Sequence, residues 1–503
     1  MSLAAPSPTT ASHGADHQPR IDRDALEALP RDVALQHEVV PIKVSSDTLT
    51  VLTSEPRNLR KLAALETIAG RRVTPRHASR EEIAALLQQH YPEHDKGLRV
   101  EEQAQAEAQQ EPGEAGDEVD SAAVHNTNIL IAKALEQRAS DIHLETGEGE
   151  VIVRYRIDGR LIEHAKLPAH MARSLVARVK VLAGMDIAER RLPQDGRIAF
   201  RWDGKNADLR VSTSPTIHGE RVVMRVLQKA RALVDVEHLE FSERNLEAFQ
   251  NLIHKPYGMF LITGPTGSGK SYTLFSVLRR LAQPDVNIMT IEDPVEYELP
   301  GINQAQLNER AGFTFARALR AYLRQDPDII MVGEIRDTDT ARIATEAALT
   351  GHLLLATLHT NDAPSAPGRL VKMGVESYNL AASLLGVLAQ RLVRRVCPHC
   401  ATSQAPNPQT LKRLGLELDE SARLKAGRGC PKCNGTGYRG RLAIHELMSI
   451  TPAIEDAIGE NATAHELREL ALESGMTTLR QDGVQKALAG LTTLEEVLAT
   501  TLE

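Results

Sequence analysis

The stretch Gly264-Pro265-Thr266-Gly267-Ser268-Gly269-Lys270-Ser271 constrains this chain more than any other part of it. It fits the pattern G-x-x-x-x-G-K-[ST] and stands between an apolar run, residues 259–263, and a segment in which Leu274, Val277, Leu278 and Leu281 recur at helical spacing. A buried strand leading through a glycine turn into a helix lets backbone N–H groups close around phosphate oxygens, with the positive end of the helix aimed at them. Lys270 neutralises the β- and γ-phosphates, and the Ser271 hydroxyl is a ligand for Mg²⁺. The spacing therefore predicts a site for ATP, all eight residues of the loop included.

Further apolar runs at residues 329–332 and 353–358 alternate with helical patterns, as in a parallel sheet with covering helices. Ligands of such sheets sit at the carboxyl ends of the strands, so the residues just after each run are the candidates for chemistry. Glu334 follows one run and has the carboxylate needed to activate water; its simpler alternative is an ion pair with Arg336. Asp328 precedes the strand, and Gly333 stands where a metal-binding aspartate is common. Glu292-Asp293-Pro294-Val295-Glu296 follows residues 288–291, where its carboxylates either position Mg²⁺ or water or cap the next segment. His359 ends the run 353–358 and either senses the terminal phosphate or is purely structural.

The four cysteines form two knuckles, Cys397-Pro398-His399-Cys400 and Cys430-Pro431-Lys432-Cys433. Four thiolates complete a tetrahedral structural Zn²⁺ with no open position for substrate. The 29 residues between the knuckles make an excursion longer than usual. Two separate redox pairs would leave the repeated Cys-Pro-x-Cys unexplained.

With 503 residues, three or four domains are expected. Residues 1–21 read as a disordered tail rich in Ser, Thr, Pro and Ala, and residues 22–92 as a compact α+β domain. In that domain, residues 39–44 and 48–53 are paired strands, and Ser79 with Glu82 opens a helix carrying Ile83, Leu86 and Leu87. Residues 93–121 read as an acidic linker: ten acidic residues between Glu93 and Asp120 face only Lys96 and Arg99, a balance equal to the whole chain's net charge of −8. A second α+β domain spans 122–232, with Val151, Val153, Tyr155 and Ile157 alternating before an Asp158-Gly159 turn and further strands at 198–202 and 208–212 joined through Asp203-Gly204. Residues 233–503 are the nucleotide-binding domain, with the cysteine module at 397–433 and capping boxes at Thr463 with Glu466 and Thr492 with Glu495.

The acidic balance and only 3% aromatic residues argue against a grip on nucleic acid. No apolar run reaches membrane-spanning length, the nearest being residues 380–389, and residues 1–20 lack the pattern of a signal peptide. The expectation is a cytoplasmic chain with no transmembrane insertion, reaching a membrane only through a partner.

Taken with Ala139-Ser140-Asp141-Ile142-His143, Arg154-Tyr155-Arg156-Ile157-Asp158-Gly159, Arg191-Leu192-Pro193-Gln194-Asp195-Gly196-Arg197, Val332-Gly333-Glu334-Ile335-Arg336-Asp337 and Leu358-His359-Thr360-Asn361-Asp362, these features resemble the type II/type IV secretion ATPase superfamily. Within it the likeness is to the type II secretion ATPases (general secretion pathway protein E), with pilus-extension ATPases as near relatives. The resemblance implies an α/β, RecA-like P-loop motor domain with a zinc-binding four-cysteine insertion, preceded by α+β N-terminal domains. It implies ATP hydrolysis driving pseudopilus assembly and protein export or, alternatively, type IV pilus extension. It also implies Glu334 as general base in an atypical Walker B motif, Glu292 and Glu296 in an acidic box, and His352 and His359 in a histidine box. Arg210, Arg225, Arg320 and Arg324 are implied to act around the phosphates or at subunit contacts of a homo-hexamer, and residues 22–92 to dock on an inner-membrane secretion protein. Three departures stand out. Tyr272 replaces a small residue, Pro364 and Pro367 are expected to interrupt a segment that is helical in the family, and residues 124–132 fit the family pattern poorly.

Overall fold

The computed structural model describes residues 21–87 in part and residues 116–501 apart from 203–204, 228–234, 418 and 420. The tail at 1–20, most of the acidic linker and the Asp203-Gly204 turn lie outside the described residues. The chain divides into two units at Pro112/Gly113.

In the first unit, β1 (Val39–Val44) and β2 (Thr48–Thr53) pair antiparallel, and β3 (Arg72–His77) adds parallel to β2. Leu49, Val51, Ile83, Leu86 and Leu87 share its core. Ser79 and Glu82 exchange the reciprocal hydrogen bonds of a capping box, 2.9 and 3.1 Å.

The second unit opens with a helix, Gly116–Glu136, so residues 116–121 are helical rather than linker. The helix is tied down where Tyr155 Oη donates to the Leu130 carbonyl at 2.7 Å. A six-stranded antiparallel sheet follows: β4 (Asp141–Thr146), β5 (Glu150–Ile157), β6 (Arg160–Pro168), β7 (Gln194–Trp202), β8 (Lys205–Thr216) and β9 (Gly219–Leu227), in the order β6-β5-β4-β9-β8-β7. Val151, Val153 and Tyr155 face its core, and Asp158 and Gly159 both take positive φ, 48° and 88°, as a type I′ hairpin turn demands. The turn docks on later chain: Asp158 Oδ2 accepts from the Gly440 N–H at 2.8 Å and Arg160 pairs with Glu496 at 3.1 Å.

The remainder is built on a seven-stranded sheet. Its strands are β10 (Gly258–Thr263), β11 (Ile288–Glu292), β12 (Asn303–Gln306), β13 (Ile329–Val332), β14 (Leu353–Leu358), β15 (Leu384–Val396) and β18 (Tyr438–Ser449), in the order β12-β11-β13-β14-β10-β15-β18. All pairings are parallel except β15 with β18. Both faces are covered: Met259 and Leu261 of β10 enter one core cluster, Phe260 and Ile262 the other. That two-sided burial is why the central strands read as unbroken apolar runs.

Local details depart from the sequence reading in three places. The apolar run 380–389 splits between a helix, Ser377–Ser383, and β15. The Ser365–Lys372 helix forms with Pro364 as its N-cap and Pro367 in the first turn, so neither proline interrupts it: N–H groups there have no intrahelical acceptor to lose. The last helix, Leu494–Thr501, is capped by Thr493, whose Oγ1 accepts from the Glu496 N–H at 3.3 Å, because the Thr492 hydroxyl is committed to the Arg394 carbonyl at 2.8 Å.

Candidate active site and metal centre

β10 delivers the chain to its carboxyl end, where the backbone leaves through Gly264, Gly267 and Gly269 at φ 144°, 81° and 87°. A Cβ on Gly264 would stand 2.4 Å from the Gln390 carbonyl oxygen, and one on Gly269 2.8 Å from the Gln390 side-chain nitrogen, so only glycine lets the loop close on β15. The helix Lys270–Leu281 starts directly at Gly269 with no side chain capping its first N–H groups. Lys270 Nζ donates to the Gly264 and Pro265 carbonyls at 2.7 and 3.2 Å; burial lowers its pKa, opposed by the nearby Glu334 charge. The Ser268 hydroxyl is buried without a partner among the described residues. Open helix N–H groups, an unpartnered hydroxyl and an ammonium lying on carbonyls fit a phosphate chain. Tyr272 is accommodated at the rim, its ring packed against the core cluster on that face.

Four expected residues meet beside the loop. Ser271, Glu292, Glu296 and Glu334 line one cavity of about 110 Å³, together with Gly333 and Asp293. Glu334 pairs with Arg336 through one oxygen and with His359 Nε2, 3.2 Å away, through the other. The ion pair with Arg336 is therefore real, and it holds the carboxylate on the cavity wall. Glu292 is buried at the end of β11, where its Oε1 accepts from Thr290 Oγ1 at 2.6 Å and Gln304 Nε2 at 2.9 Å; burial raises its pKa against those bonds. Gly333 sits close to the adjoining strand, where a Cβ would lie 3.2 Å from the Ile291 carbonyl oxygen, and Glu292 on that strand presents its carboxylate to the same cavity.

The two histidines do not share a site. His359 follows β14 at its carboxyl end, whereas His352 precedes the strand, with Nδ1 3.0 Å from the Ala347 carbonyl; the six residues of β14 separate them by roughly 20 Å at about 3.3 Å per residue. Nor do the four arginines line this cavity. Arg320 lies 4.0 Å from Asp339 and Arg324 donates to the Arg320 carbonyl at 2.6 Å. Arg210 and Arg225 belong to a row across the six-stranded sheet, Arg156–Asp141–Arg225–Arg210–Arg197, in direct register.

Sequence reasoning missed Gln390. Its one visible signal is an uncharged polar residue after the apolar run 384–389.

The cysteine module interrupts the long β15–β18 hairpin. Its own strands are β16 (Ala401–Gln404) and β17 (Leu424–Gly427), with a helix, Pro408–Leu414, between them. The four Sγ atoms lie within 4.8 Å of one another, with Cys397–Cys430 at 3.9 Å, Cys400–Cys433 at 3.8 Å and Cys430–Cys433 at 3.7 Å. Zn–S bonds of about 2.3 Å put the sulfurs of a tetrahedron about 3.8 Å apart, so the cluster fits Zn²⁺, and the spacing is too long for disulfides. The Cys430 and Gly437 N–H groups point at Cys433 Sγ, 3.1 and 3.3 Å, which favours the thiolate a metal requires.

Residues 117–499 match the family model described as Type II/IV secretion system protein, and residues 14–97 match the MshEN domain. The chain is 51% identical over 489 residues to the type IV pilus assembly ATPase PilB of Thermus thermophilus, an alignment covering 96% of this chain and 55% of that relative. It is 50% identical over 388 residues to the type II secretion system protein E of Pectobacterium carotovorum, covering 76% of each. Among solved structures it resembles the pilus retraction motor PilT with bound ADP, at a TM-score of 0.51 and 28% identity over 75% of this chain and 97% of that one.

Proposed function

The chain belongs to the type II/IV secretion system protein family, a family of ATP hydrolases, and from that premise we propose that it is a mechanical ATPase that drives assembly of a pilin-type filament at the inner membrane. The observation that carries the chemistry is the common cavity of Ser271, Glu292, Glu296 and Glu334 beside the glycine loop. Backbone N–H groups of the loop hold the triphosphate, and Lys270 transfers from the Gly264 and Pro265 carbonyls to its β- and γ-oxygens. Ser271 and Glu292 would hold Mg²⁺, which when bound offsets charge on those oxygens. Glu334, steadied by Arg336 and His359, takes a proton from the water that attacks the γ-phosphorus. Glu334→Gln keeps ATP binding and lowers phosphate release by about 10² to 10⁴; near-normal turnover in that variant removes Glu334 from this role.

Arg210 and Arg225 act in this reading on the phosphates of a neighbouring subunit. Three guanidiniums, Arg225, Arg210 and Arg197, follow one another in register with Asp141 as the one carboxylate of that row, so an approaching phosphate would relieve their repulsion. The reading is of a ring of six chains, with Arg320, Arg324 and His352 at subunit contacts. Residues 22–92 are in this reading the docking domain for an inner-membrane protein; among the described residues no helix is long and apolar enough to cross a membrane.

Two machines use such work. The match to type II secretion system protein E, 50% identical over 76% of each chain, supports pseudopilus assembly for protein export. One observation favours type IV pilus extension instead: the pilus-assembly relative aligns over 96% of the chain and the secretion relative over 76%. Disrupting the gene separates the two, through loss of surface pili in one case and of exported protein in the other.

A further inference from the structure

Gln390 is buried in β15, 2% exposed, directly beneath the glycine loop. Its Nε2 donates to the Ser268 carbonyl at 2.8 Å, and its Oε1 accepts from Thr273 Oγ1 at 2.7 Å. The orientation of the amide is forced: a carbonyl only accepts, so the nitrogen must face Ser268, leaving the oxygen for the hydroxyl. The Gln390 main-chain carbonyl also fills the space where Gly264 lacks a side chain. One residue thus braces the entrance of the loop, its last turn and the first turn of the following helix.

This bracing has a direct consequence for phosphate binding. In a trans peptide the C=O and the N–H point in opposite directions. Holding the Ser268 carbonyl down onto Gln390 therefore turns the N–H of the same peptide, that of Gly269, up toward the phosphate side. Thr273, fixed by the same amide, lies one turn into the helix whose N-terminus faces the phosphates. We propose that Gln390 is a positioning residue of the nucleotide site, which pre-orients the Gly269 N–H and the helix N-terminus for the ATP phosphates. The proposal rests on the ATP-site reading above. Its chemistry needs both halves of the amide, so glutamate, which keeps an acceptor for Thr273 but loses the donor to Ser268, is the informative replacement.

The test uses the full-length chain with a fluorescent ADP analogue and steady-state ATP hydrolysis. Gln390→Glu and the near-isosteric Gln390→Met each weaken analogue binding and raise the KM for ATP about tenfold, with kcat at saturating ATP within about threefold, because pre-organisation acts on binding. Thr273→Val, which leaves the Ser268 contact intact, shifts affinity about threefold in the same direction and keeps the proposal testable if a Gln390 variant does not fold. A lowered melting temperature with affinity and KM within twofold of wild type would overturn the proposal, leaving Gln390 a packing residue. A wild-type chain that does not bind the analogue overturns the ATP-site reading itself, and the role of Gln390 with it.

Discussion

The glycine loop and the cysteine cluster lie at the ends of strands in the same sheet, and β15 serves both, carrying Gln390 beneath the loop and ending at Val396 just before Cys397. They are built on opposite plans. The cluster draws its four ligands from two short knuckles and turns them all on one another, within 4.8 Å, so nothing is left over for a second molecule. The nucleotide site draws on the ends of β10, β11, β13 and β14, nearly a hundred residues of chain, and leaves groups unspent: a buried hydroxyl at Ser268, a lysine resting on carbonyls and carboxylates around a cavity. A closed ligand set is what a clamp needs, and unspent donors are what a site for a passing substrate needs. Their difference teaches that the motor's metal centre and its chemistry are separable even though one strand joins them.

Lys270→Ala should break the nucleotide side alone and with the largest effect. Removing the ammonium costs nucleotide affinity about a hundredfold or more, as expected for a charge-assisted contact to phosphate, while zinc content, measured by atomic emission, stays at one per chain. An equal loss of zinc would show that the two sites are not separable.

Cys433→Ser, or extraction with a chelator, tests the other side with a smaller effect on function. Binding of structural zinc is coupled to local folding, so the melting temperature should fall by roughly 5 °C or more, given that about 1 kcal/mol moves a domain of this size by a few degrees. Affinity for an ADP analogue should change by no more than about threefold. A collapse of nucleotide binding on zinc removal would mean that the clamp sets the geometry of the loop through β15.

The smallest effect sharpens the region between them. His445 on β18 stands opposite Gln390, fully buried, its ring stacked on Phe241 at 3.9 Å, and neither ring nitrogen has a hydrogen-bond partner among the described residues. Burial, with the Lys486 charge adding to it, holds its pKa well below the ordinary value of 6.5. The unfolded chain therefore takes up a proton below about pH 6.5 that the folded chain refuses, and stability is lost as pH falls through that range. His445→Phe should flatten the dependence of melting temperature on pH between 7 and 5, with little change at pH 8. An unaltered slope would assign the acid sensitivity to other groups.

Much of this molecule could be read along the chain because its determinants are local. The strand, glycine turn and helix of the nucleotide loop depend on apolar run, φ requirement and helical spacing within some twenty residues. The Asp158-Gly159 turn and the Thr463 capping box are set within four. The two cysteine knuckles are equally local, and their meeting is dictated by the coordination number of the metal they suit. Where reading failed, a neighbour distant in sequence competed for the same atom: Thr492 looks like a cap until Arg394 takes its hydroxyl. The proline expectation failed for a different reason, since it depended on where a helix begins, and a shift of a few residues turns a breaker into an ordinary first-turn residue.

The sequence by itself determined that a phosphate loop, two acidic strand ends and a four-thiolate cluster exist, because each is a short pattern whose chemistry needs those residue types at that spacing. Only the tertiary structure decided which of them meet. The strand order places β11 beside β13, so that Glu292 and Glu334 share a cavity. The length of β14 puts His359 at that cavity and His352 at the far end of the sheet. The pairing of β15 with β10 slides Gln390 under the loop. Those outcomes depend on hydrogen-bond register and on burial of both sheet faces, which are properties of strands in contact rather than of any one segment.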